Sequence, residues 1–179
     1  LKGNHDSDNF LSKLEDVPQN LLLFGDEWQT YLYGNVAITG LELSRDNRSV
    51  CYNSLVLEHD LFNIVTLHGQ LENYMSKDQV ESISLNDLKN KNIDYLALGH
   101  VHSMLMERLD SRGLYCYSGC LEGRGFDECG EKGFVVLDTA ARKLEPEFVP
   151  FSTRQLHRVK VDITGASTNS AVYQEMKKA

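Results

Sequence analysis

The segment that decides the fold is Ile93-Asp94-Tyr95-Leu96-Ala97-Leu98, which leads directly into Gly99-His100-Val101-His102. An apolar run between a polar stretch and a glycine predicts a buried strand, with the histidines in the loop at its carboxyl end. Because His100 and His102 are two residues apart, both imidazoles point to the same side of an extended segment. One loop can therefore supply two ligands to one metal ion or to two adjacent ions.

Two other segments also place metal-binding side chains next to a glycine. A second strand-like run, Asn63-Ile64-Val65-Thr66-Leu67, ends at His68-Gly69, and the chain opens with Gly3-Asn4-His5-Asp6. The amide oxygen of Asn4 adds a hard ligand to the imidazoles. This mixture suits manganese, iron or zinc better than an all-thiolate structural site does.

Each of these residues also has a purely structural interpretation. A single histidine after a strand can be a hydrogen-bonding cap for the loop, and Asn4 can be a turn residue. Asp6 can be the N-cap of a helix from Asn9 to Leu14. The joint occurrence of all three elements in this order favours the metal site.

The three elements resemble the last three signature blocks of the calcineurin-like metallophosphoesterases. The stretch 117–128, with Gly130-Glu131-Lys132-Gly133 after it, is similar to the bacterial SbcD-type DNA repair exonucleases. The resemblance spans about residues 1 to 160. It implies an α/β fold, the two-sheet metallophosphoesterase sandwich (α/β/β/α).

The first two signature blocks of that family, an Asp-x-His and a Gly-Asp-x-x-Asp, have no counterpart in the chain, and residues 140–179 contain neither pattern. Two strand–helix units need about 60 residues, so we expect a phosphoesterase domain that is truncated at its N-terminus. It follows as a hypothesis that this chain alone binds metal weakly and has little or no nuclease activity.

Carried over by position, the resemblance implies two divalent metal ions, Mn²⁺ foremost, with Fe²⁺ or Zn²⁺ as alternatives. Asn4, His68 and His100 would bind the second ion, and His102 would bind the first. Such sites clamp the phosphoryl oxygens and activate a bound water.

The resemblance assigns catalysis to the pair that follows Asn4. His5 would protonate the leaving oxygen or stabilise the developing charge, and Asp6 would orient its imidazole. Arg124, in the glycine-rich loop 119–132, can contact a substrate phosphate or pair with Glu122 or Asp127.

The composition fits a globular domain, with 41% hydrophobic and 25% charged residues in a chain of 179. No apolar run reaches the length of about 18 residues that a membrane span needs, so we expect no membrane partner and a cytoplasmic protein. The four cysteines lack the paired C-x-x-C spacing of a zinc site. Buried or idle thiols in a reducing compartment are the favoured interpretation.

The net charge of −8 opposes a broad DNA-binding face, because nonspecific affinity for nucleic acid comes from Lys and Arg. Two divalent ions would offset part of this charge. Arg154, Arg158 and Lys160 lie close together, so any DNA contact should concentrate there. A solvated strand face is the alternative.

The rest of the chain is strand-rich. Strands are predicted at 21–24, 30–33, 36–41, 104–109, 114–117, 134–137, 147–151 and 155–163, with a hairpin turn at Gly34-Asn35. The strands at 134–137 and 147–151 are expected to continue the sheet. Helices are predicted from Ser84 or Asn86 to Asn90, and from Ser167 or Thr168 to Ala179. We expect residues 1–153 to be the C-terminal part of the phosphoesterase domain and residues 154–179 the start of a DNA-capping domain.

The leading prediction is a manganese-dependent DNA exonuclease or endonuclease. The alternatives are another phosphodiesterase or phosphatase of the same superfamily and, from a different class, a noncatalytic partner-binding module. The resemblance implies DNA, a coiled-coil ATPase and a second copy of the chain as partners.

Overall fold

A computed structural model of the chain describes residues 1–3, 6, 18–72, 81–140 and 144–179. They form a mixed α/β architecture, which confirms the predicted class. The elements are β1 (Gln29–Tyr33), β2 (Val36–Gly40), α1 (Cys51–Ser54), β3 (Phe62–His68), β4 (Gln70–Leu71), β5 (Ser82–Ile83), α2 (Leu85–Leu88), β6 (Tyr95–Gly99), β7 (Leu105–Arg108), β8 (Leu114–Tyr117), β9 (Gly133–Val136), β10 (Glu147–Pro150) and α3 (Asn169–Lys178). None of the described helices is long and apolar enough to cross a membrane.

The main sheet has six strands in the order β1-β2-β3-β6-β8-β7. Strands β2, β3, β6 and β8 are parallel to one another, whereas β1 and β7 run antiparallel at the two edges. The carboxyl ends of parallel strands meet at one edge of a sheet. Strand β3 ends at His68 and β6 ends at Gly99, and these two residues are register partners.

The two faces of the sheet are covered unequally. Along β3, Asn63, Val65 and Leu67 are buried, whereas the alternate residues, His68 among them, are only half-buried. The buried face packs on α1 and α2. Its apolar cluster comprises Leu41, Cys51, Tyr52, Leu55, Val65, Leu67, Leu71, Ile83, Leu88, Ile93, Leu96, Leu98, Leu109, Tyr115 and Tyr117.

Opposite the histidine edge, the turn between β7 and β8 is fixed by Asp110. Its carboxylate accepts hydrogen bonds from the backbone N–H groups of Arg112 (2.8 Å), Gly113 (3.0 Å) and Asn90 (2.7 Å). The last of these bonds ties the turn to the segment after α2, where Asn90 has a positive φ of 60°. Asp110 thereby joins two loops at the amino ends of β6 and β8.

Most predicted strands of the main sheet are confirmed, and so is the hairpin between β1 and β2. The strand predicted at 21–24 is wrong: these residues form no strand, and the segment is held beside β1 by a bond from the Tyr31 hydroxyl to the Leu23 carbonyl (2.7 Å). The strand predicted at 155–163 is also wrong. It forms a single bridge, from Leu156 to Gly130, and Val159 stays 60% exposed because no partner strand covers it.

Strands β9 and β10 were expected to continue the main sheet, but they pair only with each other. The main sheet ends instead at β1 and β7, and neither of these edge strands pairs with β9 or β10. Helix α2 starts after Ser84 as predicted and ends earlier, at Leu88. Helix α3 begins after Thr168, whose side chain accepts the Ala171 N–H. The helix predicted from Asn9 lies outside the described residues.

Candidate metal centre

His68 and His100 come together at the carboxyl edge of the main sheet. Their ring centroids are 5.6 Å apart and the rings are nearly perpendicular, at 76°. Both residues are half-buried, so they are held in place yet reachable from solvent. His100 has a φ of 105°, a conformation that residues other than glycine rarely adopt and that is often retained at functional sites.

Two glycines lie close to the His68 ring. A Cβ on Gly3 would lie 2.8 Å from His68 Cε1, and one on Gly99 would lie 2.8 Å from His68 Nδ1. Both separations are shorter than an ordinary van der Waals contact. The first and third sequence blocks therefore both lie against His68 of the second, and a larger residue at either glycine would displace the ring.

Asp6 forms a turn with Gly3. Its carboxylate accepts the Gly3 N–H at 2.8 Å, and its own N–H donates to the Gly3 carbonyl at 3.0 Å. Asn4 and His5 lie outside the described residues, so the roles predicted for them remain predictions. The same applies to the predicted orientation of His5 by Asp6.

His102 turns toward the loop 119–132 and forms a hydrogen bond through Nδ1 with the Glu128 carboxylate. The His102 side chain is 42% exposed, whereas that of Glu128 is only 9% exposed. The second oxygen of Glu128 accepts the Arg124 backbone N–H at 2.7 Å. The bond from Arg124 and, to a smaller extent, the bond from His102 hold the pKa of the Glu128 carboxyl below its usual range. Glu128 is therefore an ionised acceptor at neutral pH.

The backbone of His102 is also held by this loop. Lys132 is only 3% exposed and donates from Nζ to the His102 carbonyl at 2.8 Å. The Cys120 thiol donates to the same carbonyl at 3.6 Å, and Gly119 makes the close approach possible with a φ of 83°. The loop expected from its glycine content thus packs against His102.

Sequence reasoning missed Glu128, Lys132 and Cys120 as neighbours of His102. A buried charge in a loop has no periodic signal, and Glu128 lies 26 residues from His102 in the chain. The only available signal was that the segment around Glu128 is charged yet belongs to the stretch that carries the family resemblance.

The pairing predicted for Arg124 with Glu122 or Asp127 is wrong. Its guanidinium lies 3.6 Å from Glu128 and stays 75% exposed. Glu122 instead accepts the Thr153 N–H at 3.0 Å and lies 3.5 Å from Arg154. Thr153 and Arg154 therefore engage the Glu122 carboxylate, whereas the Glu128 carboxylate lies next to Arg124 in the loop.

The donor atoms present are suited to a divalent metal. Among the described residues, His102, Cys120 and Glu128 form a group whose ligand atoms lie within 4.8 Å of one another. His68 and His100 offer two more imidazoles at the strand ends. Imidazole with oxygen donors is the set that zinc, iron and manganese accept in proteins.

Part of the chain is similar to a curated bacterial protein. Over 113 residues, 63% of the chain, it is 27% identical to "Uncharacterized metallophosphoesterase YhaO" of Bacillus subtilis (strain 168). The similarity supports a metallophosphoesterase relationship. The matched region spans 28% of that metallophosphoesterase's length, and no family model matches the chain.

Proposed function

We propose that this chain belongs to an enzyme that hydrolyses phosphoesters with divalent metal ions, and that its substrate is DNA. The observation that carries the proposal is the meeting of Gly3, His68 and His100 at one edge of the sheet. Three sequence blocks of metal-binding character converge there, although they are distant in the chain. The name of the Bacillus subtilis relative, a metallophosphoesterase, agrees with this reaction class.

In this proposal His68 and His100, with the Asn4 amide, hold one ion, and His102 is a ligand of the other. Metal ions in such sites stabilise charge on phosphoryl oxygens and make a bound water acidic enough to react near neutral pH. Manganese is the proposed metal, with iron and zinc as alternatives.

The protein groups have separate tasks in the proposed reaction. His5 donates a proton to the leaving oxygen, and Asp6 orients its imidazole. The positive φ of His100 and the two glycines beside His68 keep the two imidazoles at a fixed separation. Fixed ligands avoid reorganisation during the reaction, which is a main source of catalytic power.

DNA as the substrate is supported by basic side chains around the loop that packs on His102. Arg158 donates to the Phe126 carbonyl in this loop at 2.9 Å. Arg154 is 80% exposed beside Glu122, and Arg124 is 75% exposed. Cations next to the proposed metal centre can bind the backbone phosphates that flank the scissile bond, despite the overall charge of −8.

The finer architecture and the partners are also proposals. The half-buried face of β3 is suited to cover by a second sheet, as in a two-sheet sandwich. We propose that the β9–β10 pair contributes to it, and that residues 154–179 begin a DNA-capping domain. A coiled-coil ATPase and a second copy of the chain are the proposed protein partners.

The test uses the longest native polypeptide that contains this sequence, end-labelled duplex DNA, and Mn²⁺. The variant is His68→Ala with His100→Ala, and His59→Ala, at a histidine whose side chain is 80% exposed, is the matched control. We expect DNA cleavage by the native protein and the control, and its loss in the double variant. The assay is repeated with the 179-residue chain alone, which we expect to have little or no activity.

A generic phosphodiester, bis(p-nitrophenyl) phosphate, separates the alternatives. Turnover of this compound without cleavage of DNA would support another phosphodiesterase and overturn the DNA proposal. If neither compound is cleaved and calorimetry detects no Mn²⁺ binding, the proposed enzymatic function is refuted and a noncatalytic binding module is favoured.

A further inference from the structure

We propose that Glu128 is a positioning residue for His102: its carboxylate fixes the imidazole in the Nδ1–H tautomer, so that Nε2 is the atom offered to a metal. The inference takes its metal ion from the proposed function, whereas the tautomer of His102 concerns this chain alone. It extends the site by a residue outside the three metal-binding sequence blocks.

The first argument is the direction of the hydrogen bond. An ionised carboxylate accepts hydrogen bonds and cannot donate them. Since Glu128 contacts Nδ1 of His102, the proton of the neutral imidazole lies on Nδ1. The lone pair is then on Nε2, on the side of the ring away from Glu128. Carboxylate partners of this kind commonly fix ligand histidines in metal sites.

The second argument is that Glu128 is itself immobilised. Its side chain is 9% exposed, and its other oxygen accepts the Arg124 N–H at 2.7 Å. A Cβ on Gly123 would lie 2.8 Å from the Glu128 carbonyl, so the loop folds tightly around this residue. Lys132 fixes the backbone of His102 at the same time. Backbone and imidazole are thus held from one loop.

The competing arrangement is a metal ion bound directly by His102, Cys120 and Glu128, whose donor atoms are near enough to one another. Three contacts argue against it. Both oxygens of Glu128 already accept hydrogen bonds, Nδ1 of His102 is engaged by one of them, and the Cys120 thiol is directed to the His102 carbonyl. Glu128 therefore acts through His102.

The test reads the tautomer of His102 by long-range ¹H–¹⁵N correlation spectroscopy on the metal-free 179-residue chain. It is run at about pH 8.5, well above the ordinary histidine pKa of about 6.5, with a His102→Gln variant to assign the signals. We expect the Nδ1–H form in the native chain, and loss of this preference in Glu128→Ala. Glu122→Ala, in the same loop but bonded to Thr153, is the matched control and should not change the tautomer.

An Nε2–H tautomer in the native chain, or a tautomer that Glu128→Ala leaves unchanged, would overturn the inference. If Glu128→Ala does not fold, the tautomer in the native spectrum still decides. In the longest native polypeptide we expect Glu128→Ala to weaken Co²⁺ binding about 10- to 100-fold. A thiolate-to-cobalt absorption band that Cys120→Ser abolishes would instead show direct coordination. An Nδ1–H tautomer in a protein without phosphoesterase activity would refute only the proposed function.

Discussion

Replacement of Gly99 by alanine should damage the proposed metal centre while leaving the fold nearly intact. The new Cβ would lie 2.8 Å from Nδ1 of His68. Ordinary contact between such atoms starts near 3.5 Å, so the imidazole has to retreat by about 0.7 Å. Because the obstacle is the end of a side chain, rotation of the ring relieves most of the clash. We expect a loss of stability of about 1 kcal/mol, at the low end for overpacking.

The same displacement is large for a metal ligand. Ligand distances in metal sites hold to within about 0.2 Å, and a misplacement near 1 Å costs roughly 100-fold in rate. We therefore expect Gly99→Ala to weaken Mn²⁺ binding and to lower phosphoesterase activity by about 10- to 100-fold. Calorimetric titration with Mn²⁺ and thermal unfolding, both on the longest native polypeptide, measure the two effects.

Two reference variants make this result interpretable. His68→Ala gives the full effect of losing the ligand. Gly25→Ala gives the background, since no atom lies within 4 Å of a Cβ at Gly25. If Gly99→Ala binds Mn²⁺ as well as the native protein while His68→Ala does not, the ring tolerates the displacement and the reasoning about fixed imidazoles is refuted.

Three other predictions concern stability, each measured by urea unfolding of the 179-residue chain. Gly113→Ala should unfold it, because the new Cβ would overlap the backbone carbonyl of Ile93, which cannot rotate away; a variant that stays folded would contradict this. Tyr117→Phe should lose about 1 kcal/mol with the buried bond to the Gly69 carbonyl, 2.8 Å long; no loss would mean that the bond is not formed. Burial alone would raise the pKa of Asp110, but hydrogen bonds from Gly113 and its other backbone donors outweigh it and leave that pKa lowered. The native chain should therefore exceed Asp110→Asn in stability above the unfolded pKa of about 3.9, and this difference should disappear as the pH falls through the folded pKa; a difference independent of pH would contradict it.

The strand ends that carry the histidines could be predicted from the sequence. The strand-like run of β3 and the apolar run of β6 are local patterns, and each is followed by a histidine beside a glycine. Parallel pairing then brings His68 close to Gly99 and His100, as the register confirms. The two runs were predicted from local patterns, whereas their parallel pairing is an observation of the structure.

The environment of His102 could not be predicted in the same way. Its contact with Glu128 joins residues 26 positions apart through an irregular loop, and such loops have no period that fixes which side chains meet. The strand predicted at 155–163 failed for a related reason. Alternation shows that a segment can form a strand, but a strand also needs a partner, and here only Leu156 finds one, at Gly130.

The proposed centre thus has two structural supports of different kinds. His68 and His100 are fixed by strand ends, where a change such as Gly99→Ala acts through steric contact. His102 is fixed by the loop 119–132, where a change at Glu128 acts through a hydrogen bond. Since the proposal assigns these supports to different ions, we expect their effects on metal binding to be nearly additive in free energy. A strong departure from additivity in the Gly99→Ala, Glu128→Ala double variant would show that one ion is shared by both sets of ligands.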